Sequence, residues 1–307
     1  MQKAKDNKAK MEKSLFVFLV LLYPMMLFLV FYVCVNFNSI LLSFKTIDYA
    51  GNQFFCGLEN YKKVFKDLLS DYLMRKSILN SVKLFFLTML IGFPLEITFS
   101  FYLFNKKFLH KTIRFCAMLP SIVSGMIMCL IFQRFVEDAL PTILQNVFGL
   151  KEKINLLSTY DTKYSFGTIV FYMLWTGFSS SLIIYPNAMN AINPSVIESA
   201  NLDGCSSLKM LFYIILPLIM PTITTFVVTG VSGMLMLSGP LLAFWYYSAP
   251  SDVYTSGYYL FVMVMRDANM YSYPYASAIG IVFTLFSIPV TFLVKYLLER
   301  IDPQNER

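Results

Sequence analysis

The sequence predicts an all-α membrane protein of about six transmembrane helices. Hydrophobic residues make up 57% of its 307 positions, and the mean hydropathy is +0.61. Its apolar runs repeatedly reach the roughly 20 residues that a helix needs to cross hydrocarbon. The charged residues, 14% of the chain, gather between those runs, where basic side chains anchor and orient membrane helices. The formal charge of +7 therefore reflects segments beside a membrane, not a nucleic-acid face.

Residues 1–13 carry Lys3, Lys5, Lys8, Lys10 and Lys13, a basic tail that the positive-inside rule places in the cytoplasm. The run 14–42 follows, with Pro24 inside it. It is too long for a signal peptide and has no small-residue cleavage site near its end, so it reads as an uncleaved first span. At about 1.5 Å per residue it exceeds the hydrocarbon thickness and must tilt, kink or end in the interface. Residues 43–78 form an outer loop. Within it, Gly57-Leu58-Glu59-Asn60-Tyr61 opens an amphipathic helix with Tyr61, Val64, Phe65 and Leu68 on one face, expected to lie on the bilayer or on the other helices.

Residues 79–298 form the core domain, with spans at 79–104, 113–135, 165–189, 215–246 and 273–298; residues 299–307 are a second tail. Lys106, Lys107, Lys111 and Arg114 make the turn after the second span basic. That turn and the first tail place both termini and the loop 190–214 in the cytoplasm. Residues 137–164 mix charges with Pro141 and Gly149 and read as an outer cap with short helices.

Enzyme chemistry has no residues to work with. The single histidine, His110, sits in the basic turn, and neither a G-x-x-x-x-G-K-[ST] phosphate loop nor H-E-x-x-H occurs. Any ATP chemistry belongs to another subunit, and no catalytic residue, cofactor or metal is expected. Cys34, Cys56, Cys116, Cys129 and Cys205 form no C-x-x-C pair, so no disulfide or zinc framework follows.

Glu96 is the ionisable residue set deepest in a span. A charge at that depth faces a protein interior or a watery cavity; the structural alternative is a neutral carboxyl or a pair with a basic neighbour. Lys83 and Arg134 lie near span ends and snorkel. Small and hydroxylated residues cluster in the fourth and fifth spans, among them Trp175, Gly177, Ser180, Thr229, Ser232 and Gly233. Such residues serve close helix packing or line a polar pathway with an aromatic face for a ligand.

The most punctuated segment lies between those two spans. Asn193-Pro194 supplies a cap and a proline at the first helical position, and Ser195-x-x-Glu198 has capping-box spacing. Asp203-Gly204 stops that helix. Ser206 caps a second one carrying Leu208, Leu211, Phe212 and Ile215, which Pro217 ends.

Glu198-Ser199-Ala200-x-x-Asp203-Gly204, followed by Ile214-x-Leu216-Pro217, resembles the EAA loop of binding-protein-dependent ABC importer permeases, with Ser199 and Cys205 in place of alanines. Gly57-Leu58-x-Asn60-Tyr61, Leu119-Pro120, Trp175 and Tyr275-Ala276-Ser277-Ala278 extend the similarity over most of the chain. They point to the sugar and glycerol-phosphate branch and to the first permease of its pair. The resemblance implies a type I importer permease fold in a bacterial plasma membrane. It implies a coupling helix-turn-helix seated in a cytoplasmic ABC ATPase dimer, a second homologous permease, and an extracellular solute-binding protein. The coupling residues would be Glu198, Ala200, Asp203, Gly204, Leu216 and Pro217.

The implied cargo is a sugar or oligosaccharide, and the fourth and fifth spans offer no cation for an anionic one. Met234, Leu235, Met236 and Leu237 stand where that branch carries a polar patch. This subunit is then expected to form an apolar wall, leaving selection to its partners. Glycerol phosphate or a peptide are alternative cargoes. A membrane-embedded enzyme or assembly factor is the alternative of another class, and it would need a polar catalytic cluster.

Overall fold

The computed structural model describes residues 2–48, 51–149, 155–160, 162–265 and 272–302. Two compact units emerge, Met1–Lys66 with Asp267–Ile281 and Asp67–Arg266 with Val282–Arg307. Five helices are long and apolar enough to cross a membrane among the described residues, or six if one bent pair counts as a single span.

In the first unit, helix α1 (Gln2–Leu27), a π-helical stretch (Phe28–Cys34) and α2 (Val35–Ser43) run together. They produce one apolar span, Lys13–Ser43, close to the expected 14–42. A short hairpin follows, β1 (Lys45–Ile47) antiparallel to β2 (Gln53–Phe55), with Thr46 opposite Phe54. Helix α3 (Glu59–Ser70) is tied to the end of α2. The Asn60 side-chain amide donates to the Ser43 and Lys45 carbonyls, both at 2.8 Å, and the Ser43 and Tyr61 hydroxyls meet at 2.6 Å. Carbonyls left over at a helix end need such partners. Val64 is fully buried but Phe65 is 52% exposed. The inward stripe is thus Val64 with the partly buried Tyr61 and Leu68 at helical spacing, and Phe65 does not belong to it.

The second unit is built on α4 (Tyr72–Phe104). It starts at Tyr72, ahead of the expected residue 79, because Asp71 caps it by accepting the Leu73 amide at 2.8 Å. Helices α5 (His110–Ile122) and α6 (Gly125–Arg134) replace the continuous third span expected at 113–135. The path of the chain bends by 103° between them. The Ser121 amide, close to the bend, donates to the Ser179 hydroxyl at 3.1 Å, so the neighbouring helix supplies a partner there. Helix α7 (Leu140–Phe148) is the short helix expected in the outer cap. Helix α8 (Ser165–Asn190) matches the fourth span and packs along α4. A Cβ at Gly92 would come 3.1 Å from Leu174, so glycine sets the distance between the two.

Beyond α8 lie α9 (Pro194–Leu202), α10 (Ser207–Met210), a π-helical turn (Leu211–Ile215) and α11 (Leu216–Leu218). Next come α12 (Met220–Gly233), a 3-10 turn (Met234–Met236) and α13 (Leu241–Trp245). The fifth span, expected at 215–246, is present as Met220–Trp245, with its helix interrupted after Met236. The interruption frees carbonyls, and α14 (Ser256–Met265), an apolar helix the sequence pattern did not reveal, satisfies them. The Ser256 hydroxyl donates to the Leu235 carbonyl at 2.6 Å, and the Gly257 amide donates to Leu237 at 3.2 Å. From α4, the Ser81 hydroxyl accepts the Ser256 amide at 2.8 Å, and Asn80 donates to the Asp252 and Tyr254 carbonyls. Helix α15 (Ser272–Ile301) is the last span, close to the expected 273–298.

Two apolar cores form in this unit. One gathers Leu84, Phe132, Tyr172, Leu241, Phe244 and Tyr258. The other gathers Ile97, Phe101, Tyr185, Met189, Ala200, Met210 and Ile215.

Candidate functional site

The segment between α8 and α12 is a helix-turn-helix with a defined hinge. Asn193 is the N-cap of α9, its side chain accepting the Ser195 amide at 3.1 Å, and Pro194 takes the first helical position. This corrects the capping-box reading: Ser195 already lies inside the helix and is not its cap. At the other end the Cys205 amide returns to the Ala200 carbonyl at 3.0 Å and the Gly204 amide to Asn201 at 3.1 Å. That pair of bonds is a Schellman motif, which requires a left-handed residue at its bend; Gly204 provides it at φ +72°. Ser206 then occupies the N-cap of α10, although its side chain makes no capping hydrogen bond.

The expected coupling residues fall into three groups. Glu198, Asp203 and Gly204 are exposed. Ala200 is only 6% exposed and packs in the core with Ile97, Met210 and Ile215. Leu216 and Pro217, partly buried, lie in α11 between the π-helical turn and α12. Sequence reasoning missed Leu202, which is 89% exposed at the tip of α9. Leu208, Phe212 and Tyr213 are exposed beside it in the chain. Nothing in the residue type distinguishes these from core positions; only the hinge turns them outward.

Inside the second unit a cavity of about 290 Å³ opens between α4, α8 and α12, lined by Phe93, Glu96, Gly177, Tyr185, Phe226 and Gly230 among others. Glu96 is half-buried. Among the described residues none of the ion pairs includes it, so the paired alternative has no partner there. Its polar neighbour is the Ser181 hydroxyl.

The six candidate pathway residues are not brought together. Gly177 lines the Glu96 cavity, and the Trp175 ring lies tilted against Phe132 at 6.0 Å between ring centroids. Thr229 lines a separate depression with Thr224, Lys295 and Glu299. The Thr229 hydroxyl donates to the Thr225 carbonyl at 2.7 Å and that of Ser232 to Thr229 at 2.8 Å, so both turn back onto their own helix. Ser180 and Gly233 are exposed. Among the described residues no three His, Cys, Asp or Glu side chains converge as a metal ion would require.

Outside the spans, Asp252 pairs with Lys76 and accepts the Thr162 hydroxyl at 2.9 Å. The Lys76 hydrogen bond, then that of Thr162, holds its carboxyl below the usual carboxylate range.

Comparison with known proteins supplies the context for this geometry. Residues 68–307 match the family described as "Binding-protein-dependent transport system inner membrane component". A probable ABC transporter permease protein, MG188 of Mycoplasma genitalium, is 27% identical over 55% of this chain. The chain spans about half of that relative, 52% of its length. The multiple sugar-binding transport system permease protein MsmF of Streptococcus mutans is 25% identical over 90% of this chain and 92% of its own. Among solved structures, a chain of a bacterial alginate ABC transporter, in complex with an alginate pentasaccharide-bound periplasmic protein, superposes with a TM-score of 0.77. The identity is 19%, covering 96% of this chain and 98% of that one. The two share a fold.

Proposed function

Since the chain belongs to the family of binding-protein-dependent transport system inner membrane components, we propose that it is one permease subunit of an ATP-driven ABC importer for a sugar or oligosaccharide. The observation that carries this reading is the hinge at Gly204 on a segment whose buried side, through Ala200, Met210 and Ile215, belongs to the same core as α4 and α8. A segment with one face in the membrane domain and a bare apolar tip is built to pass a rigid-body movement from a docked partner to the spans.

The partners are a cytoplasmic ABC ATPase dimer that receives α9 and Leu202, a second homologous permease, and an extracellular solute-binding protein. ATP is hydrolysed in the ATPase. Both termini lie on the cytoplasmic side of a bacterial plasma membrane, a reading supported by the lysine-rich residues 1–13 and the turn at Lys106, Lys107 and Lys111. The sugar assignment is supported by the name of MsmF and by α8 and α12, which present no cationic side chain to an anionic cargo.

Closure of the ATPase pair draws the coupling segments of the two permeases together, and the cavity between them opens outward to receive solute. The test is to purify the chain from its native membrane in mild detergent. Co-purification of an ATPase and a second permease, with ATP hydrolysis stimulated by a saccharide and its binding protein, is expected. Solute flux through the chain alone in ATP-free liposomes would overturn the assignment.

A further inference from the structure

We infer that the depression between the ends of α12 and α15 binds a phospholipid whose headgroup carries a primary ammonium, as that of phosphatidylethanolamine does. The inference goes beyond the importer reading and does not depend on it. Both walls of the depression belong to the second unit.

The α15 wall grades from apolar to charged. Ile288, Phe292, Lys295, Glu299 and Asp302 recur at steps of three and four residues, so they share one stripe that runs out to the end of the last span. Ile288 and Phe292, the deeper pair, are exposed. Lys295 and Glu299 form an ion pair at 3.6 Å, each half-exposed, and Asp302 closes the stripe, buried. A phospholipid has the same order from acyl chain to phosphate to ammonium. Laid along the stripe, its chain covers Ile288 and Phe292, its phosphate meets Lys295, and its ammonium reaches Glu299 and Asp302.

The α12 wall supplies hydroxyls. Those of Thr225 and Thr229 donate to the Pro221 and Thr225 carbonyls at 2.9 and 2.7 Å. Thr224 lines the same depression and is only 9% exposed, yet its hydroxyl has no hydrogen-bond partner among the described residues. A buried hydroxyl left in that state is costly, and a phosphate oxygen in the depression accepts from it. The volume, about 570 Å³, falls within the range of ligand pockets.

Charge and donor count select among lipids. Lys295 is the one base among the described lining residues, and Glu299 already compensates it. A headgroup that is only anionic therefore meets no unpaired cation there, unlike the basic pockets that gather anionic lipids. A carboxylate accepts about four hydrogen bonds, so Glu299 retains capacity beyond Lys295. A primary ammonium brings three N–H donors to it, whereas choline has the charge and none of the donors.

The experiment uses the full-length chain, purified in detergent and stripped of lipid. It is titrated with phosphatidylethanolamine, its N-methyl and N,N-dimethyl derivatives, phosphatidylcholine and phosphatidylglycerol, all dioleoyl, and bound lipid is read by native mass spectrometry. Phosphatidylethanolamine is expected to bind roughly tenfold tighter than phosphatidylcholine, the worth of one charge-assisted hydrogen bond, with the methylated lipids ranked between them. Equal binding of those two overturns the inference, as does a preference for phosphatidylglycerol. Glu299→Gln with Asp302→Asn is expected to abolish the preference, and Thr224→Val to weaken phosphatidylethanolamine binding. A preference that survives the double substitution places the lipid elsewhere and counts against the inference; if that variant does not fold, the lipid series on the parent chain decides. Displacement of the lipid by an equal concentration of soluble phosphoethanolamine would make the ligand a free metabolite and overturn it. A photo-crosslinking amino acid at Thr225 is expected to capture phospholipid in native membranes, and capture of protein instead would make the depression an interface between subunits and sink the proposal.

Discussion

At Gly204 the surroundings are open, with nothing within 4 Å of where a Cβ would stand, so only the backbone angle restricts the position. A left-handed conformation costs an ordinary L-residue about 1–2 kcal/mol, and Asn bears it best. Gly204→Asn is therefore expected to keep most solute-stimulated ATP hydrolysis. Gly204→Val, stiff and branched, is expected to lose at least tenfold while still inserting in the membrane. Equal activity of the two variants in proteoliposomes would remove the hinge from coupling. Asp252 gives a pH signature of its own. Its folded carboxyl titrates below the ordinary 3.8, so the Lys76 contact stabilises fully above that value and the contribution is lost as pH falls through the lowered one. The pair is half in water, with Lys76 24% and Asp252 50% exposed, which limits it to about 1 kcal/mol or less. Thermal melts should show Asp252→Asn less stable than the parent near neutral pH and indistinguishable in strong acid.

Among the elements, the broken α12–α13 stretch depends on α14. Removing the Ser256 hydroxyl orphans the Leu235 carbonyl and the partnership with Ser81, and Ser256→Ala is expected to cost about 1–3 kcal/mol. A Cβ at Gly257 would run into the Met236 backbone, which cannot swing away as a side chain can. Gly257→Ala should then lower the melting temperature more than Ser256→Ala does, measured in one detergent. The sequence made the spans legible because their signal is length: an apolar run of the right size reads the same whether or not its helix is whole. For that reason the 103° bend after Ile122 did not show in the apolar run; the interruption after Met236 was marked only by Gly239-Pro240, a turn signal that the length of the run overrode, and the ten-residue α14 fell below the length of a span. Turn chemistry was legible where it is local. Asn193, Pro194 and Gly204 each announce a backbone conformation by residue type, whereas Ser195-x-x-Glu198 copied the spacing of a capping box two residues too late.

For the whole molecule, the question is which surface would meet the proposed ATPase. The bare Leu202 side chain is the strongest candidate, and full burial of a leucine is worth about 1.5–3 kcal/mol. Leu202→Ala is expected to weaken ATPase association roughly ten- to a hundredfold, and Leu202→Asp more, read by co-purification yield and by titration in nanodiscs. Undiminished association would place the contact elsewhere on the segment. The site was partly legible at this scale. Glu96 stood out because charge is rare in a span, but Tyr185 and Phe226 belong to its cavity only through the packing of α4, α8 and α12, which no single stretch of sequence encodes.

The two cores differ in what they fasten. Ala200, Met210 and Ile215 pack with Ile97 and Phe101 of α4, so under the proposed coupling role a load applied at Leu202 would be taken up by a packed core, the stiff end of a beam. Leu84, Tyr258 and Leu241 clamp the other end. Between them the chain of α12 loses its helical stiffness after Met236. The carbonyls freed at Leu235 and Leu237 are held by Ser256 and Gly257 of α14, so the break is fastened to a second helix, and any movement of α12 would carry α14 with it.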